Sequence, residues 1–584
     1  MSVSYQQLKQ SLWSALPKQL QGQIQPSDIQ ISRPNNNMGD LASNVALLNY
    51  RLVSEQFTSS LDLAQVTVDQ FNRQQSKIIA SVAAPGFINL ELSEAFFSQL
   101  WQELRQRGQQ LVTKSKHSQK IVIDYSSPNI AKPFTIGHLR STIIGDAIAN
   151  LYEAVGYQVF RDNHLGDWGT QFGKQIAAIK KWGDEEQIAN SPNPVKELVA
   201  LYVKFHQEAE KDPQLLDEGR AWFKKLEDGD PEARRVWQRC IDWSFVEFNR
   251  IYQRLGVKFT ENEGRGFGES YFEPYLKEVI KIIQDSGLLK TGKDGAQLIF
   301  YPNDQYPPLM IVKADGATLY ATRDLATDHF RLNNPRYLGA QGEKPIIINE
   351  VGAEQSLYFK QLYQAEEMLN WVKPGQRIHV KHGLYRFADG KMSTRKGKVI
   401  WLDEVLNRAH QEALQLSDDQ ESAWALAIAA LKWNDLKRNS ELNINFDWQE
   451  IINLQGNSGP YMLYVYARAK SVLRKAAAAG IDDYQHMEFT TLSEQEKDLM
   501  QLLSEFESVV INAQQQLAPH QLCNYLFELA QSFNSFYQKV PILTKDTRDE
   551  ALLSRNFRLQ LTEQLALTIK FGLKLLGIST VERL

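Results

Sequence analysis

Four stretches of this 584-residue chain combine residue types and spacings that could do chemistry. The first is "SSPNIAKPFTIGHLRSTIIGDA", residues 126–147, in which Gly137 and His138 open a helix just after a strand. Backbone N–H groups and the helix dipole favour an anion there, and a glycine lets a large ligand approach the backbone. A histidine at that place can donate a hydrogen bond to a phosphoryl oxygen as charge develops. An isolated Gly-His pair also serves well as a cap or as core. The second stretch is "DGKMSTRKGK", 389–398, where two glycines bracket Lys391, Met392, Ser393, Thr394, Arg395 and Lys396. Such a cationic loop could close over a triphosphate and neutralise departing pyrophosphate, although taken alone it is ordinary surface.

The third is "KADGATLYATRDLATDHF", 313–330. Asp315-Gly316 suits a hairpin turn, after which Tyr320 begins a helix. Tyr320 and Asp324 stand four apart and share a helix face. A phenol beside a carboxylate suits a guanidinium, whose planar donors a carboxylate takes two at a time. An internal salt bridge is the alternative use of the same pair. The fourth is "NLQGNSGPYMLYVYARAKSVLRKA", 453–476, with Tyr461, Tyr464 and Tyr466 among Arg468, Lys470 and Arg474. Residues 518–538 add Tyr525, Phe536 and Tyr537. Aromatics among cations can stack unpaired bases and hold phosphates, while many of these rings must also serve as helix core.

The elements that must position these groups can be read from hydrophobic period. "IVIDYS" (121–126) reads as a buried strand and "YQVFRD" (157–162) as a second. Between them Leu139, Ile143, Ala147, Leu151 and Val155 recur every four residues, with Ile144 and Ile148 alongside, and Gly156 is placed as the stop. Strand, helix, strand in that span implies a parallel sheet with ligands at its carboxyl edge. Residues 181–290 read as a charged, Trp-rich helical insertion interrupted at "LEDGDPEA" (226–233). Strand signals return at 309–314, 345–352 and 377–385, and nearly everything past 400 is helical. Before the first strand, 81–93 shows strand alternation with a Pro85-Gly86 turn, a helix is expected from about Asp40, and 112–120 reads as a linker.

Length excludes a single core and predicts several domains. Charged residues at 23% and apolar residues at 43% are those of a globular protein, and no apolar run reaches the roughly 18 residues of a membrane span. The opening "MSVSYQQLKQSLW" lacks the pattern of a secretory signal, so a cytoplasmic protein is expected. Two cysteines, Cys240 and Cys523, exclude a disulfide framework and a Cys-rich zinc site. The net charge of −4 gives no global sign of a nucleic-acid partner. Locally, Lys373, Arg377, Lys381, Arg386, Lys391, Arg395, Lys396 and Lys398 face one acid, Asp389, a stripe that could attract polyphosphate.

In order, the Ser-Pro-Asn…Gly-His segment, the later Lys-Met-Ser loop and the helical C-terminal region resemble class I aminoacyl-tRNA synthetases, whose two motifs are called HIGH and KMSKS. More narrowly the chain resembles the arginyl-tRNA synthetase family over essentially its whole length. "NHLGDWGTQFGK" (163–174), "DGATLYATRDLA" (315–326), "VGAEQSLYFKQL" (351–362), "HGLYRFADGKMSTRKG" (382–397) and "GNSGPYMLYVYARA" (456–469) carry that resemblance with the first segment. It implies a Rossmann-like parallel-sheet catalytic domain, residues 116–400, with a helical insertion at about 181–290. It also implies an N-terminal α+β additional domain, 1–115, placed against the tRNA elbow, a helical stem-contact region, 401–455, and a helical-bundle anticodon-binding domain, 456–584.

The implied reaction joins L-arginine to the 3′-terminal adenosine of tRNA(Arg) through an arginyl-adenylate, with ATP and Mg²⁺ as co-substrates, no resident protein metal and no covalent enzyme intermediate. A monomer is expected. By the same resemblance Ser127, Pro128, Asn129 and His138 lie along the arginine, Tyr320 and Asp324 meet its guanidinium, and Gln355 and Asn163 line its pocket. ATP would lie over Lys132, Gly137 and His138, with Lys391, Met392, Ser393, Arg395 and Lys396 closing on its phosphates, while Tyr461, Tyr464, Arg468 and Tyr537 would meet tRNA. Lysine cannot reproduce the guanidinium fork, so no editing site need be invoked.

The sequence departs from the family pattern at three places. Thr135 replaces the first histidine of HIGH, a smaller phosphate partner whose hydroxyl can still donate to the phosphates as part of the catalytic set. Thr394 replaces the second lysine of KMSKS, for which Lys132 is placed to compensate. Tyr358 stands where many relatives have histidine. A silent paralogue that binds tRNA without charging it is the rival that Thr135 and Thr394 would favour. Retention of Tyr320, Asp324, Gln355, Lys132 and His138 argues against it. A synthetase for cysteine or glutamate is opposed by the missing zinc ligands and by Asp324.

Overall fold

The computed structural model describes all residues except 1–2, 35–38, 76, 387–399, 446, 452–455, 486–490 and 545–547. The chain divides into two compact units, one of Met1–Val112, Val465–Val510 and Tyr525–Phe571, the other of Thr113–Tyr464, Ile511–Asn524 and Gly572–Leu584.

The larger unit is built on a parallel sheet. Its strands are β1 (Ile121–Asp124), β2 (Val159–Asp162), β3 (Ile346–Gly352) and β4 (Arg377–His382), in the order β4-β3-β1-β2. Ile121 pairs with Val159 on one side and Ile346 on the other, so the strands run in step toward one carboxyl edge. Burial on both faces explains the apolar runs Ile121–Ile123 in β1 and Ile346–Ile348 in β3. Helix α1 (Ile136–Val155) crosses from β1 to β2. Its four-residue apolar period is buried, and Gly156 ends it at φ 106°, the left-handed stop expected. Gly145 faces Tyr125 so closely that a β-carbon there would stand 2.3 Å from the ring carbon Cγ. Only a glycine lets this helix lie that close to the strand end.

Helices α2 (Tyr320–Asn333) and α3 (Ser356–Met368) flank the same edge. The turn at Asp315-Gly316 forms as read, Gly316 N donating to Lys313 O at 3.0 Å and Lys313 N to Ala317 O at 2.9 Å. The strand signal at 309–314 belongs elsewhere than the parallel sheet. Leu309–Val312 closes a separate three-stranded antiparallel sheet with Leu289–Thr291 and Gln297–Ile299. A short apolar run announces a strand but not its partners. The insertion is helical, and its interruption is a break between Glu227 and Pro231, where Asp230 caps the next helix by accepting from Glu232 N and Ala233 N.

The smaller unit has an antiparallel sheet in which Ile78–Ala83 and Phe87–Leu92 form the hairpin whose turn the sequence signals at Pro85-Gly86. The expected helix near Asp40 is instead a strand, Leu41–Ser43, paired with Leu90–Ile88, and the helix starts at Val45. Long helices from 465–510 and 525–571 complete this unit, Trp101 meeting Phe557 edge-on at 5.2 Å. Arg107 pairs with Glu507 at 3.5 Å and Arg33 with Glu505 at 3.3 Å. Among the described residues no helix is long and apolar enough to cross a membrane.

Candidate active site

At the carboxyl edge of the sheet lies a cavity of about 210 Å³ lined by Asp124, Ser127, His164, Glu269, Tyr320, Asp324, Thr327, Asp328, Arg331, Asn349, Val351, Gln355, Tyr358, Phe359 and Leu362. Four carboxylates and two cationic side chains meet in that lining. Buried Arg331 anchors it, bonding Asp162 at 2.7 Å and Asp124 at 3.1 Å, so that α2 is tied to the ends of β1 and β2. Burial would raise the Asp124 carboxyl, but Arg331 and then His164 hold it below its ordinary value. Arg377 pairs with Glu366 at 2.6 Å and Asp328 at 2.7 Å. Arg377 therefore does not belong to the surface stripe in which its sequence neighbours placed it: it faces inward as a counter-ion.

With Asp124 and Asp328 compensated by arginines, Asp324 and Glu269 are the carboxylates left to face the cavity. Tyr358 O–H donates to Asp324 Oδ2, and His164 Nε2 lies 3.6 Å from Asp324 Oδ1. Tyr320 stands half-open at the rim, its ring edge-on to Tyr358 at 4.9 Å. Glu269 faces the same space, its carboxyl pushed up to about 7, chiefly by burial. The arrangement suits a planar cation: two rings and a lining rich in carboxylates.

Ser127, Tyr320, Asp324 and Gln355 of the residues singled out in the sequence line this cavity; Pro128, Asn129, His138 and Asn163 stand outside its lining. Asn163 is fully buried behind it, accepting from Ser127 N at 3.0 Å and donating to Tyr252 at 3.1 Å. The neighbouring His164, which the sequence did not mark as more than part of a motif, takes the place in the wall. Asn129 forms a parallel bridge with Gly166, whose amide donates to Pro128 O at 3.2 Å. The loop carrying these residues holds Ser126, Ser127 and Ala131 at φ 74°, 42° and 58°. Such backbone persists only when surroundings over-determine it, and here they do. Ser126 N donates to Ser141 Oγ, and Ala131 N to Ser244 Oγ, each at 2.9 Å.

Beside that loop, Thr135 is the N-cap of α1. Its backbone N–H donates to His138 Nδ1 at 3.0 Å and its hydroxyl lies 3.2 Å from the same nitrogen. A ring nitrogen that accepts is unprotonated, so the proton of His138 is on Nε2, available as a donor at the helix mouth. Burial, then His382 and Lys132, lower His138 to about 4, which keeps it neutral. Thr135 thus holds the histidine ring in place. Lys132 is near enough to His138 to repel its protonated form.

Lys391, Met392, Ser393, Thr394, Arg395 and Lys396 lie outside the described residues. Of the aromatics read as base-stacking surface, Tyr466, Tyr525 and Phe536 are core. Tyr464 is half-exposed and Tyr461 partly so, on one face of the helix Gly459–Ala478. Arg468 stacks over the partly exposed Tyr537 ring at 5.0 Å and donates to Asn534. Among the described residues there is no cluster of three or more His, Cys, Asp or Glu able to hold a metal.

A parallel sheet with an acidic cavity at its carboxyl edge and a Gly-His helix mouth beside it has the form of a class I synthetase. The class I tRNA synthetase (R) catalytic-domain family matches residues 99–448, the arginyl tRNA synthetase N-terminal domain 6–92, and the DALR anticodon-binding domain 462–584. The arginine–tRNA ligase of Fusobacterium nucleatum is 36% identical, with 96% of each chain covered, and that of Clostridium acetobutylicum 39% identical over 85% of this chain and 86% of that one. In fold, the arginyl-tRNA synthetase of Plasmodium falciparum superposes with a TM-score of 0.80 over 100% of both chains at 22% identity. The Thermus thermophilus arginyl-tRNA synthetase gives 0.77 over 99% of each chain, also at 22%. The chain belongs to the arginyl-tRNA synthetase family. It is an enzyme of class I that activates arginine with ATP and charges tRNA with it.

Proposed function

We propose that the cavity headed by Asp324 is the arginine side-chain pocket and that the mouth of α1 is the seat of ATP. The single observation carrying this is the Asp324 carboxylate, held by the Tyr358 hydroxyl in a pocket that Tyr320 and Tyr358 also line and that is rich in carboxylates. The guanidinium would lie against Asp324 and Tyr320, with Gln355 and Ser127 toward the α-amino and carboxylate end. The substrate carboxylate then attacks the α-phosphorus of Mg-ATP, the bond to the bridging oxygen of pyrophosphate breaks, and arginyl-adenylate forms. A 3′-terminal ribose hydroxyl attacks that mixed anhydride, giving arginyl-tRNA and AMP.

The chain contributes position and charge rather than a nucleophile. His138 Nε2–H donates to the phosphate, Gly137 lets it approach, and Lys132 supplies a cation. Lys391, Met392, Ser393, Arg395 and Lys396 are proposed to close on the leaving pyrophosphate. Pro128, Asn129 and Asn163 hold the shape of the loop behind the arginine. We assign Tyr461, Tyr464, Arg468 and Tyr537 to tRNA, residues 456–584 to the anticodon arm, 401–455 to the stem and 1–115 to the elbow. The working form is proposed to be a monomer. The cytoplasm fits two buried, unpaired cysteines.

The test is aminoacylation of tRNA(Arg) with labelled arginine by wild type and by Asp324→Asn. The variant should need far more arginine while binding tRNA as before. An unchanged arginine KM would overturn the pocket assignment.

A further inference from the structure

His164 raises a question that the arginine pocket alone does not answer: a histidine stands where a cationic substrate must go. Its Nδ1 lies 3.0 Å from Phe267 O, and a carbonyl can only accept, so Nδ1 carries a proton in every state. The proton that can come and go is therefore the one on Nε2. That nitrogen is buried, has no hydrogen-bond partner at bonding distance and faces Asp324 Oδ1 at 3.6 Å. The His164 side chain is 14% exposed, so water does not replace the missing partner at will.

We propose that protonated His164 serves as the built-in counter-ion of Asp324 in the empty pocket and surrenders its Nε2 proton to solvent when the arginine guanidinium takes that place. The inference rests on the arginine reading of the pocket. In the empty site Nε2–H⁺ faces the carboxylate. In the filled site the guanidinium brings its own charge to Asp324, and a second cation at the same distance would repel it. Loss of the proton turns Nε2 into a lone-pair acceptor, able to take one guanidinium N–H while Asp324 takes others. One group thus changes from competitor to ligand, and the pocket keeps its charge balance in both states.

The groups facing His164 support the exchange. Asp124 on β1 receives the His164 backbone N–H at 3.2 Å. Asp324 and Arg331 come from α2, Tyr358 from α3, Glu269 from the segment before Leu276, and Asp167 from the loop of His164 itself. Burial would strip the imidazolium of its proton, but Asp324 and then Asp124 overcome burial and lift His164 to about 10. Glu269, at about 7, is the one neighbour that could mimic a proton effect from below. At pH 8 it is mostly ionised and contributes little.

The experiment is calorimetric titration of the full-length protein with arginine at pH 8 in two buffers of different ionisation enthalpy. About one proton should be released per arginine bound, and Kd should fall close to tenfold per pH unit from 7.5 to 8.5. Glu269→Gln should keep the release, whereas His164→Gln should lose it and bind arginine with an affinity nearly independent of pH in that range. Binding with equal heats in both buffers overturns the proposal alone. No arginine binding at all overturns the pocket reading and the proposal with it. If His164→Gln does not fold, the histidine ¹⁵N shifts of the wild type decide: a His164 Nε2 signal that moves from protonated to unprotonated on arginine addition supports the exchange, and one that stays overturns it.

Discussion

Asp324 is a carboxylate whose usefulness depends on its having no arginine of its own in the cavity, unlike Asp124 and Asp328. Asp324→Asn removes the charge while keeping the shape, and truncating one member of a buried charge pair costs on the order of 2–5 kcal/mol. Arginine KM should rise by roughly a hundredfold in pyrophosphate exchange, with tRNA Kd unchanged by filter binding. At the helix mouth, His138→Ala should lower the rate of adenylate formation by about 10²–10³, the cost of one donor to developing charge. Because His138 remains neutral down to about pH 4, the rate it contributes should be level from pH 8 to 5 in single-turnover measurements. A drop near pH 6.5 that vanishes in His138→Gln would contradict its neutral-donor role. That Tyr320 and Asp324 face one cavity was legible because both lie on one helix four residues apart, a local fact. His164 was not legible, since its meaning comes from Asp324 and Phe267, which only the tertiary fold brings to it. Thr135 was half legible: its place in the motif was plain, but its service as cap to His138 required seeing which ring nitrogen accepts.

The elements that carry the site are held by buried charge rather than by apolar packing alone. Arg331 joins α2 to the ends of β1 and β2, and Arg377 on β4 reaches the same helix through Asp328. Arg331→Met would leave Asp124 and Asp162 uncompensated, and breaking a buried pair from one side costs about 3–5 kcal/mol. Denaturant unfolding should show that loss, and Asp162→Asn in the same chain should recover part of it. Gly145→Ala tests the other contact of α1. Its methyl would press into Tyr125, and such overpacking costs typically about 1–3 kcal/mol. The apolar period that revealed α1, β1 and β2 says nothing of which strands pair. That is why Leu309–Val312 read correctly as a strand while its antiparallel sheet went unread. Arg377 misled for a similar reason: in sequence it continues a run of cations, and only the pairing of β4 beside β3 turns it inward.

At the scale of the whole molecule, residues 465–510 and 525–571 form one compact unit with 1–112. A truncation near residue 455 would strip partners from Trp101, Arg33 and Arg107, so point substitutions are the cleaner test of tRNA contact. Tyr464→Ala, at a half-exposed ring, should weaken tRNA binding by about 1–3 kcal/mol, the usual worth of one stacked base, and leave arginine KM alone. An unchanged tRNA Kd would remove Tyr464 from the interface. The helical C-terminal region and the α+β start were legible from composition and resemblance. Their membership in one unit was not, because contacts between the two ends of a chain leave no periodic trace in either. The most direct measurement is ATP–pyrophosphate exchange by the wild-type protein with tRNA(Arg) present, comparing arginine with lysine and with the uncharged isostere citrulline. A planar-cation pocket at Asp324 predicts exchange with arginine and little or none with either analogue, whereas no exchange with arginine, or equal exchange with citrulline, would contradict it.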